Sequence, residues 1–384
     1  MSDILNQFHE ENLPPSTVDI MRAVRAGQRR RRIRTGLAAL AAVVALVIAG
    51  ATAPIWLSSR PGPPPPAEHT CGSPVPSRPA QPTWELLDPL TSDVDATGVA
   101  GFRLKTSITL TTFQYAQLAS DAGDREVTVV LFACGAEPRR FDTDGTPIAF
   151  DPSAGEPADP IGGSAAYWLS QEEVFLPGPA QALAWQWTAG AWVIAFASAP
   201  EKDPSTVDTA ELRGIATRVA PELRLGAGTP VTSPFSLPVP AGMFPAITVT
   251  RFAADNGRNF PLSFGIGFDT VGSAEPTDPL LNTYLPTISV SANFFANAND
   301  RPTDASEYPE DLGHPAYQTV IDESGVPVNA LLIYDYSGLG AQIETAGVPG
   351  TAAEKLSAAA DLFRSMTVYP GAAEDVSAWG PPVG

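Results

Sequence analysis

Residues 36–57 read GLAALAAVVALVIAGATAPIWL, 22 positions in a row without a charge. A stretch of that length matches the roughly 20 residues that a helix needs to cross a bilayer core. Seven arginines (Arg22, Arg25, Arg29, Arg30, Arg31, Arg32 and Arg34) stand before it, and only Arg60 lies close behind. An excess of positive charge marks the cytoplasmic side, and Trp56 falls where interfacial tryptophan is common. The expectation is a transmembrane helix over 35–57, a cytoplasmic tail over 1–34, and an extracellular remainder: a single-pass cell-membrane protein. The competing reading is a cleaved signal peptide, with Ala49-Gly50-Ala51 as its small-residue site.

Beyond the run, residues 58–83 hold nine prolines, including Pro63-Pro64-Pro65-Pro66. Such a stretch is a semi-rigid spacer, and a Pro-rich linker is expected over 58–97. The exterior part then repeats itself. Gly101-Phe102-Arg103-Leu104 recurs as Pro234-Phe235-Ser236-Leu237, and ITLTTF (Ile108–Phe113) as ITVTRF (Ile247–Phe252). Val127–Ala133 has a counterpart in Ile288–Phe294, and GSAAY (Gly163–Tyr167) recurs as GHPAY (Gly313–Tyr317). At the same spacing Gly190-Ala191-Trp192-Val193 matches Gly340-Ala341-Gln342-Ile343. Period-two alternation marks strands. Helical spacing of Leu212, Ile215, Ala216 and Val219, and of Leu356, Ala359, Ala360 and Phe363, closes each copy with a helix. The expected fold class is α+β: one transmembrane helix plus two tandem units, 98–228 and 229–371, each an antiparallel sheet with a C-terminal packing helix. Residues 372–384 are expected to be a flexible tail.

The GxxAY segment leading a strand pair into a helix, and the ending Leu362-Phe363-Arg364-Ser365-Met366-Thr367-Val368, resemble the PsbP-like fold. That resemblance implies a binding or assembly module with no shared catalytic residues. The tail, arginine run, single span, Pro-rich stalk and acidic exterior resemble uncharacterised single-pass membrane proteins of high-GC Gram-positive (actinobacterial) type. An Arg:Lys ratio of 20 to 3 fits such a genome. Some of those proteins look like anti-sigma factors, but the His/Cys zinc motif of their cytoplasmic domain is absent from 1–34.

A net charge of −19 argues against a nucleic-acid partner, which needs a basic footprint. The three histidines (His9, His69 and His314) fall in separate segments. Gly162-Gly163-Ser164-Ala165-Ala166 lacks the last glycine of a nucleophile elbow. No nucleotide-binding, HExxH or CxxC motif occurs. Asp142-Thr143-Asp144-Gly145 opens like a calcium loop without its later ligands, and Asp300, Asp304, Glu307, Glu310 and Asp311 read as solvated loop charge. No enzyme, cofactor or metal is therefore expected. Trp168, Trp185, Trp187 and Trp192 cluster in the first unit; such stripes are core when buried, and bind sugars or peptides when exposed.

Cys71 and Cys134 are the chain's two cysteines, both in the exterior part, and are expected to form a disulfide; the other reading is a buried thiol at Cys134. In the tail, Leu13, Val18, Met21 and Val24 offer anchors for a cytoplasmic regulator, against a reading in which the arginines only face anionic lipid. The expected function is a membrane-anchored extracytoplasmic binding, sensing or envelope-associated protein with an unknown envelope ligand. The alternative is an anti-sigma-factor-like transmembrane signal transducer.

Overall fold

Alternating side chains dominate the chain from Thr91 to Glu344, and they set the architecture. The computed structural model describes residues 87–136, 138–141, 147–169, 180–199, 207–255, 258–270, 285–293, 302–323 and 326–384. All of them belong to one unit, Leu46–Gly384. The first half contains β1 (Thr91–Asp95), β2 (Phe102–Leu110), β3 (Phe113–Ser120), β4 (Glu126–Phe132), β5 (Arg139–Phe141), β6 (Pro147–Ala149), β7 (Glu156–Ile161), β8 (Ser164–Leu169), β9 (Ala180–Thr188) and β10 (Ala191–Ser198). Helix α1 (Thr209–Val219) and β11 (Arg224–Pro230) close it. The second half contains β12 (Phe235–Ser236), β13 (Met243–Asp255), β14 (Arg258–Thr270), β15 (Ile288–Asn293), β16 (Ser306–Glu307), β17 (Ala316–Glu323), β18 (Val326–Tyr336) and β19 (Leu339–Glu344). Helix α2 (Ala352–Ser365) and β20 (Thr367–Val368) follow.

Fourteen strands form one antiparallel sheet in the order β16-β17-β18-β19-β15-β14-β13-β2-β3-β4-β10-β9-β8-β7. Outward from the β13–β2 pair, both halves run through the same sequence: three consecutive strands, then the last strand before the helix, then backwards to the edge. The flanking pairs also correspond, β1 with β11 and β12 with β20. A single row of cross-strand neighbours spans the sheet. It runs Glu307, Tyr317, Leu332, Gln342, Ser291, Gly265, Val249, Ile108, Tyr115, Val130, Ile194, Ala184, Tyr167, Pro157. The row is symmetric about Val249 and Ile108, and it places Tyr167 of GSAAY and Tyr317 of GHPAY at equivalent positions.

This architecture corrects the expected fold class. The described chain is mainly β, with only two α-helices of 11 and 14 residues. The two halves share one sheet instead of each closing its own, because β2 and β13 use their outer edges on each other. Thr109 and Thr248 face across that seam, and both hydroxyls donate to the carbonyl of Pro89. No helix among the described residues is long and apolar enough to cross a membrane, so the transmembrane helix is no part of this fold; residues 35–57 lie outside the described residues.

Three sequence matches also shift. Phe102 begins β2, whereas Phe235 sits in β12, whose counterpart is β1. The row sets Ile108 against Val249, two residues on from Ile247, which itself pairs with Leu110. The turn glycine corresponding to Gly190 (φ 76°) is Gly338 (φ 82°), and Gly340 lies within β19. Trp192 therefore answers to Gly340, not to Gln342.

Both helices pack on the same side of the sheet, α1 on β9 and β10, α2 on β18 and β19. Helix α1 starts at Asp208, whose carboxylate accepts from the Ala210 amide at 2.9 Å, and buries Leu212, Ile215, Ala216 and Val219. Helix α2 starts with a capping box between Thr351 and Glu354 and buries Leu356, Ala359, Ala360, Leu362 and Phe363. Residues 372–384, read as a tail, return to the second core. Trp379 is buried edge-on to Phe264, centroids 6.0 Å apart, and its indole N–H donates to the Ala372 carbonyl at 3.0 Å.

Candidate functional site

On the face away from α1, the first half is apolar and closed. Leu110, Phe113, Tyr115, Val130, Ile194 and Phe196 are all buried there. One edge of this face holds a buried ion pair, Lys105 Nζ to Glu126 Oε1 at 3.0 Å, and the Gln117 amide donates to Glu126 Oε2 at 2.9 Å. Burial pushes the nearby Tyr115 phenol up, against a lowering hydrogen bond with Thr128.

At the other end of this face the apolar layer opens into a cleft of about 430 Å³. Its walls come from the exit of β4 (Gly135, Ala136), the base of the β5–β6 hairpin (Pro138, Ala149, Phe150), a 3-10 turn (Asp151, Pro152), the β9–β10 turn (Gly190) and the second residue of β10 (Trp192). Backbone bonds fix these walls: the Gly135 amide donates to the Gly190 carbonyl at 3.1 Å, and the Phe150 amide to the Pro138 carbonyl at 3.0 Å. A bulge between Ala191 and Trp192 sets Trp192 opposite Gln186 of β9. Trp192 is half-buried and Gln186 exposed. The Trp192 ring lies 6.2 Å from that of Tyr167, tilted by 60°. Across the cleft, Asp151 is exposed. Its carboxylate accepts from the Ser153 hydroxyl at 2.7 Å and the Ser153 amide at 2.9 Å, which holds it below the usual carboxylate range.

A second cleft, about 460 Å³, lies between α1 and the β3–β4 turn. Arg125 fills its charge requirement: it is buried and forks onto Glu211 at 2.7 and 2.8 Å, with Asp124 at 2.8 Å. This is a clamp holding helix to turn, and the cleft's two carboxylates are balanced by Arg125 and Arg218.

The remaining sequence candidates fall elsewhere. Trp185 is buried in the core under α1, and Trp187 packs against that core, donating its indole N–H to the Phe132 carbonyl at 3.3 Å. Trp168 lies under the Arg213 guanidinium, 4.9 Å from its ring centre. Ser164 opens β8, and His314 packs edge-on to Tyr336 and Phe363. Ten strands separate β8 from β17, so Ser164 and His314 share no site. Among the described residues, no three His, Cys, Asp or Glu side chains come together as metal ligands. Cys134 follows β4 and is not a free thiol. Cys71 lies outside the described residues, so the expected bond between the two is no part of the site described. Leu13, Val18, Met21 and Val24 also lie outside the described residues.

Sequence reading singled out Trp192 but missed Gln186, Phe150, Tyr167 and Asp151 as its neighbours. The bulge that turns Trp192 toward Gln186 leaves no periodic trace. Asp151-Pro152-Ser153 was the one available signal, as an Asx-type turn start. Compared with protein-family models, curated proteins and solved structures, the chain matches none.

Proposed function

We propose that this protein is a non-catalytic binding module of the cell exterior, which takes its ligand in the cleft beside Trp192. The observation that supports this reading is a half-buried indole, Trp192, packed against the apolar layer at the wall of an open cleft. A volume of about 430 Å³ falls in the range of small-molecule sites. The described lining has one carboxylate, Asp151, and no nucleophile–base pair; the one described histidine, His314, belongs to the other half. Such a lining suits recognition better than bond breaking.

A ligand that binds only the folded state raises the melting temperature by an amount that grows with the logarithm of its concentration over Kd. A thermal-shift screen of the full chain against saccharide, peptide and amino-acid panels should yield ligands whose shift disappears in Trp192→Ala. A screen in which every shift survives that substitution would refute the reading.

A further inference from the structure

We infer that the Trp192 cleft is a carbohydrate subsite, specific for neutral sugars that present one apolar ring face. This rests on the binding reading above and adds the ligand class. A pyranose has a C–H face that stacks on an aromatic ring and a rim of hydroxyls that need both donors and acceptors. Trp192 and Asp151 line the cleft, and Tyr167 and Gln186 stand next to Trp192 beside it. Trp192, with Tyr167 tilted against it at 6.2 Å, forms the apolar platform. Gln186, exposed and directly opposite Trp192 on β9, carries an amide that both donates and accepts. Asp151, exposed on the far wall and held ionised by Ser153, accepts from hydroxyls.

Two alternatives fit less well. An extended peptide adds to a free strand edge, but β4 and β10 behind the cleft are paired on both sides, in the order β3-β4-β10-β9, which leaves it only the short β5–β6 hairpin. A wholly apolar ligand would make no use of the exposed Gln186 amide, and Asp151 would keep only its bonds from Ser153. In the second half Gly340 stands where the first half has Trp192, and the ring pair there is Tyr317 with Tyr334, centroids 5.8 Å apart.

The test uses the full chain, immobilised, against neutral oligosaccharides (linear hexasaccharides of glucose, mannose, galactose and N-acetylglucosamine) and a panel of tripeptides. At least one oligosaccharide should bind, with affinity lowered about tenfold or more by Trp192→Ala and by Gln186→Ala. Gln186 is exposed, so its substitution keeps the comparison interpretable if Trp192→Ala fails to fold. Saturation-transfer NMR should show ring C–H protons of the bound sugar, not only hydroxyl-bearing edges, closest to the protein. Oligosaccharide binding unchanged in both variants would overturn the proposal. Tripeptides bound in a Trp192-dependent way, with no oligosaccharide bound, would overturn the carbohydrate class and leave the binding reading standing. No binding of any panel member would overturn both.

Discussion

The two halves of the sheet share strand order, helix position and flanking pairs, yet their faces opposite the helices differ in kind. Along the common row, the first half places Tyr115, Val130, Ile194 and Ala184 where the second places Gly265, Ser291, Gln342 and Leu332. Each residue of the first set is buried, whereas Gly265, Ser291 and Gln342 are half-buried. Around Gln342, the Ser289 hydroxyl donates to Glu344 Oε2 at 3.1 Å, and the Gln342 amide to the other carboxylate oxygen. Backbone topology is therefore indifferent to what its outer face carries. Alternation that is apolar on both faces makes a two-sided layer, as in β4, where all seven residues are buried. Alternation that is apolar on one face leaves a polar outer surface, as in β15.

The largest expected effect tests the closed face. Lys105→Met strips Glu126 of its cation inside a buried site and should cost about 3–5 kcal/mol in urea unfolding. Replacing both partners, Lys105→Met with Glu126→Leu, should recover most of that loss. Ser289→Ala, which removes a half-buried hydroxyl from Glu344 in the other half, should cost less than about 1 kcal/mol. A similar loss for both single changes would mean that the two faces are equally wet.

A smaller effect is confined to the second half, where two glycines lie side by side on β14. A methyl on Gly267 would approach Pro286 Cγ at 2.6 Å and Ile247 Cγ2 at 2.7 Å, both on stiff side chains. Gly267→Ala should therefore destabilise by about 1–3 kcal/mol. A methyl on Gly265 meets nothing nearer than 3.7 Å, so Gly265→Ala should stay within about 0.5 kcal/mol of the parent. Calorimetric melts of the two variants compare them directly.

The helices give a finer comparison. Thr351→Ala removes the hydroxyl of the capping box on α2, and Asp208→Ala removes the simpler cap on α1. Each should cost about 1 kcal/mol, with hydrogen exchange quickening in the first turn of the affected helix alone.

The smallest effect is a pH dependence. Backbone and side-chain bonds from Thr351 hold Glu354 below its ordinary value, and the Arg213 guanidinium does the same for Glu156. A carboxylate whose pKa is lower folded than unfolded stabilises the fold above its unfolded value. That contribution is lost as pH falls through the folded value. Melting temperature should thus fall below pH 4.5, and Glu354→Gln should flatten part of the fall. Both groups are exposed, so added salt should weaken the Glu156 contribution.

Much of this architecture is legible in the chain itself. Helical spacing identifies the buried faces of both helices, because a stripe at three and four residues leaves few other solutions. The GSAAY and GHPAY segments mark equivalent strands, since the tyrosine in each occupies the same place on the row. Strand character follows from alternation of Ile, Val and Ala with polar residues in β15 and β19. What sequence alone does not contain is pairing. Whether β2 ends a sheet or meets β13 depends on an edge contact between residues 139 positions apart, and alternation is the same in both cases. The same limit explains the bulge at Trp192, which is set by β9 and changes no residue pattern in β10. Composition and periodicity fixed which residues turn inward. Only tertiary pairing decided that two copies form one sheet, and that Trp192 and Asp151, from separate elements, line one cleft with Tyr167 and Gln186 beside Trp192.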